Sequence, residues 1–378
     1  MEVLSALSYL SVSLTFVYVL VVISFIIGWH KLRMFQAGKK TGNTRVSIIV
    51  AARNEAESIH RTIEALLSQD YPAAWTEIIF IDDHSTDATA AIIRSYAGRG
   101  IKLISLKADR ALNSYKKKAI QTAIGQASGS LIITTDADCR MGERWLSTIV
   151  ACYEEKGYKM ISSPVAYDEE KSFFERAQSL EFLYLIGLGA STIGNGQPST
   201  CNGANLAYER EAFYEVGGFQ GIDDLASGDD ELLLHKIAAR YGNRIGFLKN
   251  TDAIVYTHAK PGLQAFLQQR KRWASKSTRY KNKSIIVLGV FIWLFNVSIL
   301  LNLLAGMLFS TCLAVALFQL VMKTGIEFFF LLDVTRFAGR RKLLVLLPVL
   351  DLLHVLYIIY IGIAGNSGKY NWKGRMVN

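Results

Sequence analysis

The stretch Leu131-Ile132-Ile133-Thr134-Thr135-Asp136-Ala137-Asp138 is a short apolar run that ends in two carboxylates one residue apart. An apolar run of this length predicts a buried strand of a parallel sheet. In open sheets built from alternating strands and helices, ligands bind in the crevice at the carboxyl ends of the strands. Asp136 and Asp138 are therefore predicted to face a ligand.

The two carboxylates indicate which ligand this is. Acids this close repel each other unless a cation lies beside them. Mg²⁺ and Mn²⁺ bind carboxylate oxygens together with the phosphate oxygens of a substrate. We interpret the pair Asp136 and Asp138 as a site for such a cation and a phosphate ester. The alternative reading of these two residues alone is a turn that caps a helix.

Strands and helices alternate on the amino-terminal side of this stretch. The predicted strands are Val46–Ala51, Glu77–Ile81, Ile101–Leu106 and Leu131–Thr135, and the predicted helices are Ala56–Leu67, Asp87–Tyr96 and Lys116–Ala127. Such alternation predicts an α/β fold with a doubly wound, mainly parallel sheet. No Gly-x-Gly-x-x-Gly follows the first strand, so the usual dinucleotide fingerprint is missing.

Polar residues follow the first two strands, at the edge where Asp136 is also expected. They are Asn54 and Glu55 after the first strand and Asp82 and Asp83 after the second. Carboxylates accept hydrogen bonds from a base or from ribose hydroxyls, so we assign these four residues to nucleotide-sugar binding, with Asp83 as the first choice and Asp82 as the second. Lys116 is expected to neutralise phosphate.

Further candidates lie downstream of the Asp-x-Asp pair. Gly203, Ala204 and Asn205 form a small polar segment of the kind that a substrate approaches closely. Asp229 and Asp230 precede a predicted helix, and a second carboxylate site is what a reaction with a general base requires. The simpler explanation for Asp229 is a favourable interaction with the helix dipole.

Composition indicates a membrane protein. The chain of 378 residues is 51% hydrophobic and has a formal net charge of +10. Its basic residues cluster beside apolar segments, which fits the cytoplasmic face of a membrane better than nucleic acid, so no nucleic-acid partner is expected. The four cysteines lack metal-ligand spacing and suit a reducing compartment.

Several apolar segments are long enough to cross a bilayer. Tyr9–Gly28 is followed by basic residues, which places the next domain in the cytoplasm. Ile285–Met322 is expected to cross twice and to return before Lys323, which can pair with Glu327. Leu343–Ala364 is long enough for another span.

The last apolar segment also carries features that argue against a simple crossing. Pro348 is expected to break its helix, and Asp351 and His354 are costly in lipid. We therefore expect this segment to bend back and to leave the basic tail, with Lys369, Lys373 and Arg375, in the cytoplasm.

Four motifs in order, together with these features, resemble a known family. They are Asp83, Asp136-Ala137-Asp138, Gly228-Asp229-Asp230 and Gln269-x-x-Arg272-Trp273. This order is similar to the D, DxD, (E/D)D and QxxRW signature of membrane-bound family 2 glycosyltransferases with a GT-A fold, such as cellulose, chitin and hyaluronan synthases and ceramide glucosyltransferases.

The resemblance implies three regions: a membrane helix and basic linker over residues 1–43, a cytoplasmic GT-A domain over 44–275, and a membrane region with a basic tail over 276–378. It also implies roles for the motif residues. Asp83 would contact the base, Asp136 and Asp138 the metal, and Gln269, Arg272 and Trp273 the diphosphate and acceptor. Asp230 would be the catalytic base, although Asp229 stands where many members have Glu, which leaves the choice between the two open.

The tail adds to the resemblance. Its Trp372-Lys373-Gly374-Arg375 run resembles terminal segments of lipid glucosyltransferases and, more loosely, the gating loop of cellulose synthases. Lys373 or Arg375 would then reach the diphosphate, and Trp372 would help to cover the site.

The expected reaction is an inverting transfer of a hexose from a nucleotide-diphosphate sugar, a UDP-sugar as first choice, with Mg²⁺ or Mn²⁺ as cofactor. The expected acceptor is a lipid at the cytoplasmic face of the inner cell membrane, because the carboxyl-terminal membrane region is small for a translocating channel. One alternative is a processive polysaccharide synthase that extends a glycan acceptor. The other is a non-catalytic membrane scaffold that retains the fold.

Overall fold

The computed structural model describes residues 2–38, 42–106, 114–365, 370–372 and 375–377. The strands are β1 (Val46–Ala52), β2 (Thr76–Asp82), β3 (Ile101–Ser105), β4 (Leu131–Asp136), β5 (Arg140–Met141), β6 (Met160–Ser162), β7 (Val165–Asp168), β8 (Leu206–Glu209), β9 (Ile245–Phe247), β10 (Val255–His258), β11 (Tyr370–Trp372) and β12 (Arg375–Val377). The helices are α1 (Glu2–Lys31), α2 (Ile59–Leu67), α3 (Thr89–Ser95), α4 (Tyr115–Gln126), α5 (Trp145–Lys156), α6 (Phe173–Gly194), α7 (Arg210–Glu215), α8 (Glu231–Tyr241), α9 (Leu263–Ala274), α10 (Lys283–Ala305), α11 (Ser310–Phe337) and α12 (Leu347–Ala364).

The described residues divide into two compact units that interleave along the chain. The sheet unit takes residues from 31–169, 192–259 and 369–378, and the helical unit takes residues from 1–30, 170–191 and 260–368. The helical unit therefore includes most of α6 and all of α9 together with the long apolar helices.

A seven-stranded sheet organises the described part of the sheet unit, with the order β3-β2-β1-β4-β8-β6-β9. Strands β1 to β4 are mutually parallel, and β8 runs antiparallel to β4 and to β6. The predicted mainly parallel α/β sheet is confirmed. Ala52 lies opposite Asp82 and Ala51 lies opposite Asp136, so the carboxyl ends of β1, β2 and β4 share one edge.

Burial on both faces of the sheet explains why the sequences of these strands are apolar. Ile48, Val50, Ile132 and Ile133 on the two central strands are fully buried, because helices cover both faces of a parallel sheet. Each such side chain contributes about 1.5–3 kcal/mol when it leaves water. The core thus fixes the strands that carry the polar residues at the sheet edge.

A smaller sheet, β5-β10-β7, follows the Asp-x-Asp segment. Strand β10 pairs antiparallel with β5 and parallel with β7, and His258 lies opposite Asp168 in the second pairing. This sheet holds the chain directly after Asp138, because β5 begins two residues later.

Among the described residues, four helices of the helical unit are long and apolar enough to cross a membrane: Ser5–Lys31, Lys283–Ala305, Ser310–Phe337 and Arg341–Ala364. The expected amino-terminal segment and the pair of later segments are present. Helix α11 continues past Lys323 to Phe337, and the expected return to the cytoplasm before Lys323 stays a prediction.

A buried ion cluster explains this continuation. Lys323 Nζ lies 2.7 Å from Glu327 Oε1 and 2.5 Å from Asp351 Oδ1, and all three side chains are buried. Tyr18 donates a hydrogen bond to Glu327. The predicted Lys323–Glu327 pair is confirmed, and Asp351 is its third member.

The expected break at Pro348 is wrong. Pro348 is at the start of α12, after a short 3-10 segment over Arg341–Leu346. A proline in the first turn of a helix replaces an N–H that has no partner in the helix, so the helix begins there and is not broken.

Candidate active site

The polar residues predicted at the strand ends meet at one edge of the large sheet. Asp136 is the last residue of β4, and Asp138 follows in the turn before β5. Both side chains are half-buried, whereas Ala137 between them is buried. The alternation leaves both carboxylates on the accessible side of the turn, where a cation can reach them.

Lys116, near the start of α4, connects the two acidic motifs. Its Nζ lies 2.8 Å from Asp136 Oδ1 and 3.2 Å from Asp229 Oδ2. Burial alone would lower the pKa of Lys116, but the carboxylates of Asp136 and Asp229 outweigh it and raise that pKa above its ordinary value. Lys116 is therefore a permanent positive charge between the Asp-x-Asp pair and the second acid motif.

Asp230 is held by backbone amides at the start of α8. Its Oδ1 accepts from Glu231 N at 2.7 Å, and its Oδ2 accepts from Gly203 N at 3.1 Å. Thr134 of β4 donates to Gly203 O at 3.1 Å. A Cβ at position 203 would lie 3.3 Å from Asp229 Oδ2 and from Asp230 Cβ, so this close approach favours glycine. The predicted residues Gly203, Asp229 and Asp230 thus lie together.

Gly203, Ala204 and Asn205 were predicted as a substrate-facing segment, and Asn205 does not fit this prediction. Its Nδ2 donates to Pro164 O at 2.8 Å and to Ala253 O at 2.7 Å, and its Oδ1 accepts from Trp145 Nε1 at 3.0 Å. Because Asn205 is also fully buried, its side chain stabilises the fold, and the prediction that it contacts substrate is wrong.

The predicted nucleotide-binding residues form a compact loop cluster. Asp83 is almost completely buried, and its Oδ1 lies 2.9 Å from His84 Nδ1. Asp82 Oδ1 accepts from Ser85 N at 3.1 Å, which shapes the turn after β2. A nucleoside contact of Asp83, with Asp82 as the second choice, stays a prediction.

The loop after β1 packs against the same turn. Asn54 Oδ1 accepts from Thr86 N at 2.8 Å, and Glu55 Oε2 accepts from Ser58 Oγ at 3.1 Å. Arg53, which the sequence did not single out, donates to the carbonyl oxygens of Asp83 and His84 at 2.8 Å each. Its charge holds the two loops together.

A cavity of about 200 Å³ opens beside Asp138 within the sheet unit. Its other lining residues include Arg140, Asp168 and His258. Arg140 pairs with Asp168, and His258 Nδ1 lies 3.7 Å from Asp168 Oδ1. Sequence reasoning missed these residues, because Arg140 is part of no motif and because Asp168 and His258 become neighbours of Asp138 only through the pairing of β10 with β5 and β7.

The acids suit a divalent cation that also binds substrate. The described residues hold no group of three or more His, Cys, Asp or Glu side chains arranged around one metal position. Mg²⁺ commonly binds one or two carboxylates and takes its other oxygens from phosphates and water. Asp136 and Asp138 provide such a pair, so they fit a cation that arrives with a diphosphate.

The last motif belongs to the helical unit, on α9. Arg270, within the motif, is buried against Glu181, and its Nε lies 3.0 Å from Glu181 Oε1. Its guanidinium lies 4.2 Å from the Trp273 ring centroid, and its Nη1 donates to Gln269 Oε1 at 2.9 Å. Arg270 thus supports two motif residues, while Arg272 is half-buried. A contact of Gln269, Arg272 and Trp273 with a diphosphate or acceptor stays a prediction.

Comparison with known proteins agrees with this geometry. Residues 47–217 match the family model described as Glycosyl transferase family 2. The chain is 31% identical over 122 residues to glycosyltransferase AglE of Haloferax volcanii, covering 32% of this chain and 40% of that protein. It is 26% identical over 234 residues to β-monoglucosyldiacylglycerol synthase of Synechocystis, covering 61% of this chain and 47% of that protein. It is 27% identical over 176 residues to poly-β-1,6-N-acetyl-D-glucosamine synthase of Staphylococcus epidermidis, covering 46% of this chain and 41% of that protein.

These matches span less than half the length of each of the three relatives. Among solved structures, the mannosyltransferase PcManGT from Pyrobaculum calidifontis, in complex with GDP-Man and Mn²⁺, aligns with a TM-score of 0.59 at 20% identity. The alignment covers 93% of this chain and 97% of that one. This likeness shows a shared GT-A-type fold.

Proposed function

We propose that the chain is a family 2 glycosyltransferase, which the match over residues 47–217 supports, and that it transfers a hexose from a nucleotide-diphosphate sugar to a membrane lipid. The observation that carries the proposal is the link from Asp136 through Lys116 to Asp229, 2.8 Å and 3.2 Å long. It joins the predicted metal and diphosphate site to the acid motif that carries the predicted base.

The acids divide into two roles. Asp229 is paired with the Lys116 ammonium, whereas Asp230 accepts hydrogen bonds from the backbone N–H groups of Gly203 and Glu231. Because Asp229 already neutralises Lys116, we assign Asp230 as the general base, which would take the proton of an acceptor hydroxyl as that hydroxyl attacks the anomeric carbon. A single displacement from the face opposite the leaving group inverts that carbon.

The leaving diphosphate needs positive charge. Lys116 supplies one such charge at the end of β4, and Asp136 with Asp138 would hold Mg²⁺ or Mn²⁺. A divalent cation stabilises the negative charge that develops on a leaving phosphate oxygen. Preorganised charges of this kind contribute about 10²- to 10³-fold each to the rate.

The proposed acceptor is a lipid at the cytoplasmic face of the inner cell membrane. Four described helices are long and apolar enough to cross a bilayer, and basic residues follow the first of them, as the positive-inside rule expects of a cytoplasmic segment. The similarity to a β-monoglucosyldiacylglycerol synthase supports a lipid acceptor. A UDP-sugar is the proposed donor.

A processive polysaccharide synthase is the second candidate. Gln269-x-x-Arg272-Trp273 and the similarity to a poly-β-1,6-N-acetyl-D-glucosamine synthase favour it. The two candidates differ in product, since one gives a glycolipid with a single added sugar and the other gives a long polymer.

A turnover assay tests the proposal. Detergent-solubilised full-length protein is incubated with a panel of radiolabelled sugar nucleotides and extracted membrane lipids, with Mg²⁺, Mn²⁺ or EDTA. Label in the organic phase, dependent on a divalent cation, is expected. Label in a high-molecular-weight aqueous product would support the synthase instead, and no transfer from any donor would support a non-catalytic scaffold.

A further inference from the structure

Lys117 is a buried charge that the proposed reaction does not use. Its side chain is only 1% exposed. Its Nζ donates to the carbonyl oxygens of Ile222, Leu225 and Ser227, each at 2.6 Å. An ammonium has three N–H donors, so these three carbonyls take up its full donor capacity.

The three carbonyls belong to one irregular segment, residues 221–228, which we call the acid-motif loop. Gly221 and Gly228 at its ends have φ angles of +80° and +86°, a region that glycine adopts without strain. Ile222, Leu225 and Ser227 are buried, and buried carbonyl groups need hydrogen-bond donors. The loop has no regular secondary structure to supply them at these positions, and Lys117 supplies them.

The loop leads directly into the second acid motif. Gly228 is followed by Asp229, which pairs with Lys116, and by Asp230, which begins α8. Two consecutive lysines of α4 therefore act on one segment: Lys116 contacts the acid motif itself, and Lys117 contacts the loop before it. Since the candidate base lies three residues after Ser227, a shift of the loop moves the base.

We infer that Lys117 is a positioning residue for the acid motif: it fixes the acid-motif loop and thereby the place of Asp230 relative to the acceptor hydroxyl. The inference rests on the proposed function. Lys117 does not touch the reacting groups, so its loss should reduce the rate of transfer and leave binding of the sugar nucleotide in place.

The experiment compares Lys117→Met with Lys118→Met, a matched control because Lys118 is exposed on the same helix. Donor affinity is measured by titration calorimetry, and kcat and KM are measured in the transfer assay. We expect kcat of Lys117→Met to fall about 100-fold, because misplacement of a reacting group by about 1 Å costs this much. Its donor Kd and KM should stay within about twofold of wild type, and Lys118→Met should match wild type.

A second variant and a second measurement separate positioning from folding. Lys117→Arg keeps a charged hydrogen-bond donor, so its kcat should be at least tenfold higher than the kcat of Lys117→Met. Hydrogen exchange of the residue 222–228 amides should accelerate in Lys117→Met while the amides of β1 and β4 stay protected.

If Lys117→Met folds, binds donor and transfers at the wild-type rate, the inference is wrong. If the wild-type protein transfers no sugar, the proposed function fails instead. If Lys117→Met loses donor binding as well, Lys117 has a general structural role and the inference is also overturned.

Discussion

Lys116 and Asp229 form an ion pair of 3.2 Å within the sheet unit. This pair distinguishes two neighbouring acids that look alike in the sequence. Because the carboxylate of Asp229 is engaged by the ammonium of Lys116, we assign Asp229 to orienting that lysine rather than to removing a proton. Asp230, which accepts hydrogen bonds from backbone amides, is left as the base.

The first prediction tests this division. Asp230→Asn should lower kcat by about 10³-fold, within the range that general base catalysis contributes, with donor affinity unchanged. Asp229→Asn should retain more activity but raise KM for the donor, because Lys116 loses one of its two carboxylate partners. Glu211→Gln, on an exposed residue of α7, is the control. Equal losses of kcat in both motif variants would contradict the assignment of Asp230.

The second prediction concerns pH. Burial lowers the pKa of Lys117 from 10.5 to about 8, against the opposing effect of Asp229, Asp230, Asp224 and Asp223. The folded protein therefore binds this proton less tightly than the unfolded chain does. Between about pH 8 and 10.5 the unfolded state holds more protons at Lys117 than the folded state does. The contribution of Lys117 to the free energy of unfolding therefore rises with pH over this range.

Activity should move in the opposite direction over the same range. A neutral amine has two N–H groups for three carbonyls, so the acid-motif loop loses a hydrogen bond as Lys117 deprotonates. We expect kcat to fall above about pH 8 in the wild type. Lys117→Arg, whose guanidinium stays charged, should lack this step. An identical high-pH limb in the two proteins would assign the fall to another group.

The sequence predicted the sheet and most of the acid cluster for identifiable reasons. Val46–Ala52 and Leu131–Asp136 have the apolar runs of central parallel strands, and parallel strands bring their carboxyl ends to one edge. Lys116 was assigned to phosphate, but the burial of Lys117 was not predicted, because three consecutive lysines carry no signal of which one is buried. Asn205 was misread since its role depends on carbonyls of Pro164 and Ala253, which are distant in the sequence.

The third prediction concerns the buried pair of Arg270 and Glu181 in the helical unit. Removing one member of a buried ion pair costs about 3–5 kcal/mol, because the other charge is left without a partner. Arg270→Met should therefore lower the midpoint of thermal unfolding in detergent, and Lys271→Met, on the next and more exposed residue, should not.

A double variant separates stability from function at this pair. Glu181→Leu combined with Arg270→Met replaces both charges and should recover most of the stability. It should not recover transfer, because Gln269 and Trp273 still lack the guanidinium that contacts both of them. Full activity in the double variant would show that the orientation of these two motif residues does not matter.

The last prediction concerns the membrane topology of α12 and the tail. If α1, α10, α11 and α12 each crossed the membrane, the tail would lie on the side of the membrane opposite the sheet unit. The reason is that the sheet unit begins directly after the first of these helices. The contacts of α12 within the helical unit favour another path. Arg340, just before its segment, lies 2.9 Å from both carboxylate oxygens of Glu170. At the other end, a Cβ on Gly365 would lie 2.6 Å from Ala274 Cβ.

Glu170 and Ala274 both belong to the helical unit, and each lies outside the four candidate spans. Glu170 follows β7 directly, and Ala274 ends α9 before α10 begins. A straight helix of 18 residues is about 27 Å long, which is nearly the thickness of the bilayer core. From the contacts at its two ends we predict that α12 is inclined within the membrane region and does not carry the chain across the bilayer. Lys323, through its contact with Asp351, then neutralises a carboxylate that this path places among the apolar helices.

The tail strands β11 and β12 belong to the sheet unit, which agrees with this path. Lys373 lies outside the described residues, and the predicted contact of Lys373 or Arg375 with a diphosphate stays a prediction. Intact cells carrying a single cysteine, introduced after removal of the native ones, are treated with an impermeant thiol reagent. Leu308→Cys, an exposed position between α10 and α11, should be labelled, whereas a cysteine added after Asn378 should react only once the membrane is permeabilised. Labelling of the terminal cysteine in intact cells would show that α12 crosses the bilayer and that the tail cannot reach the donor site.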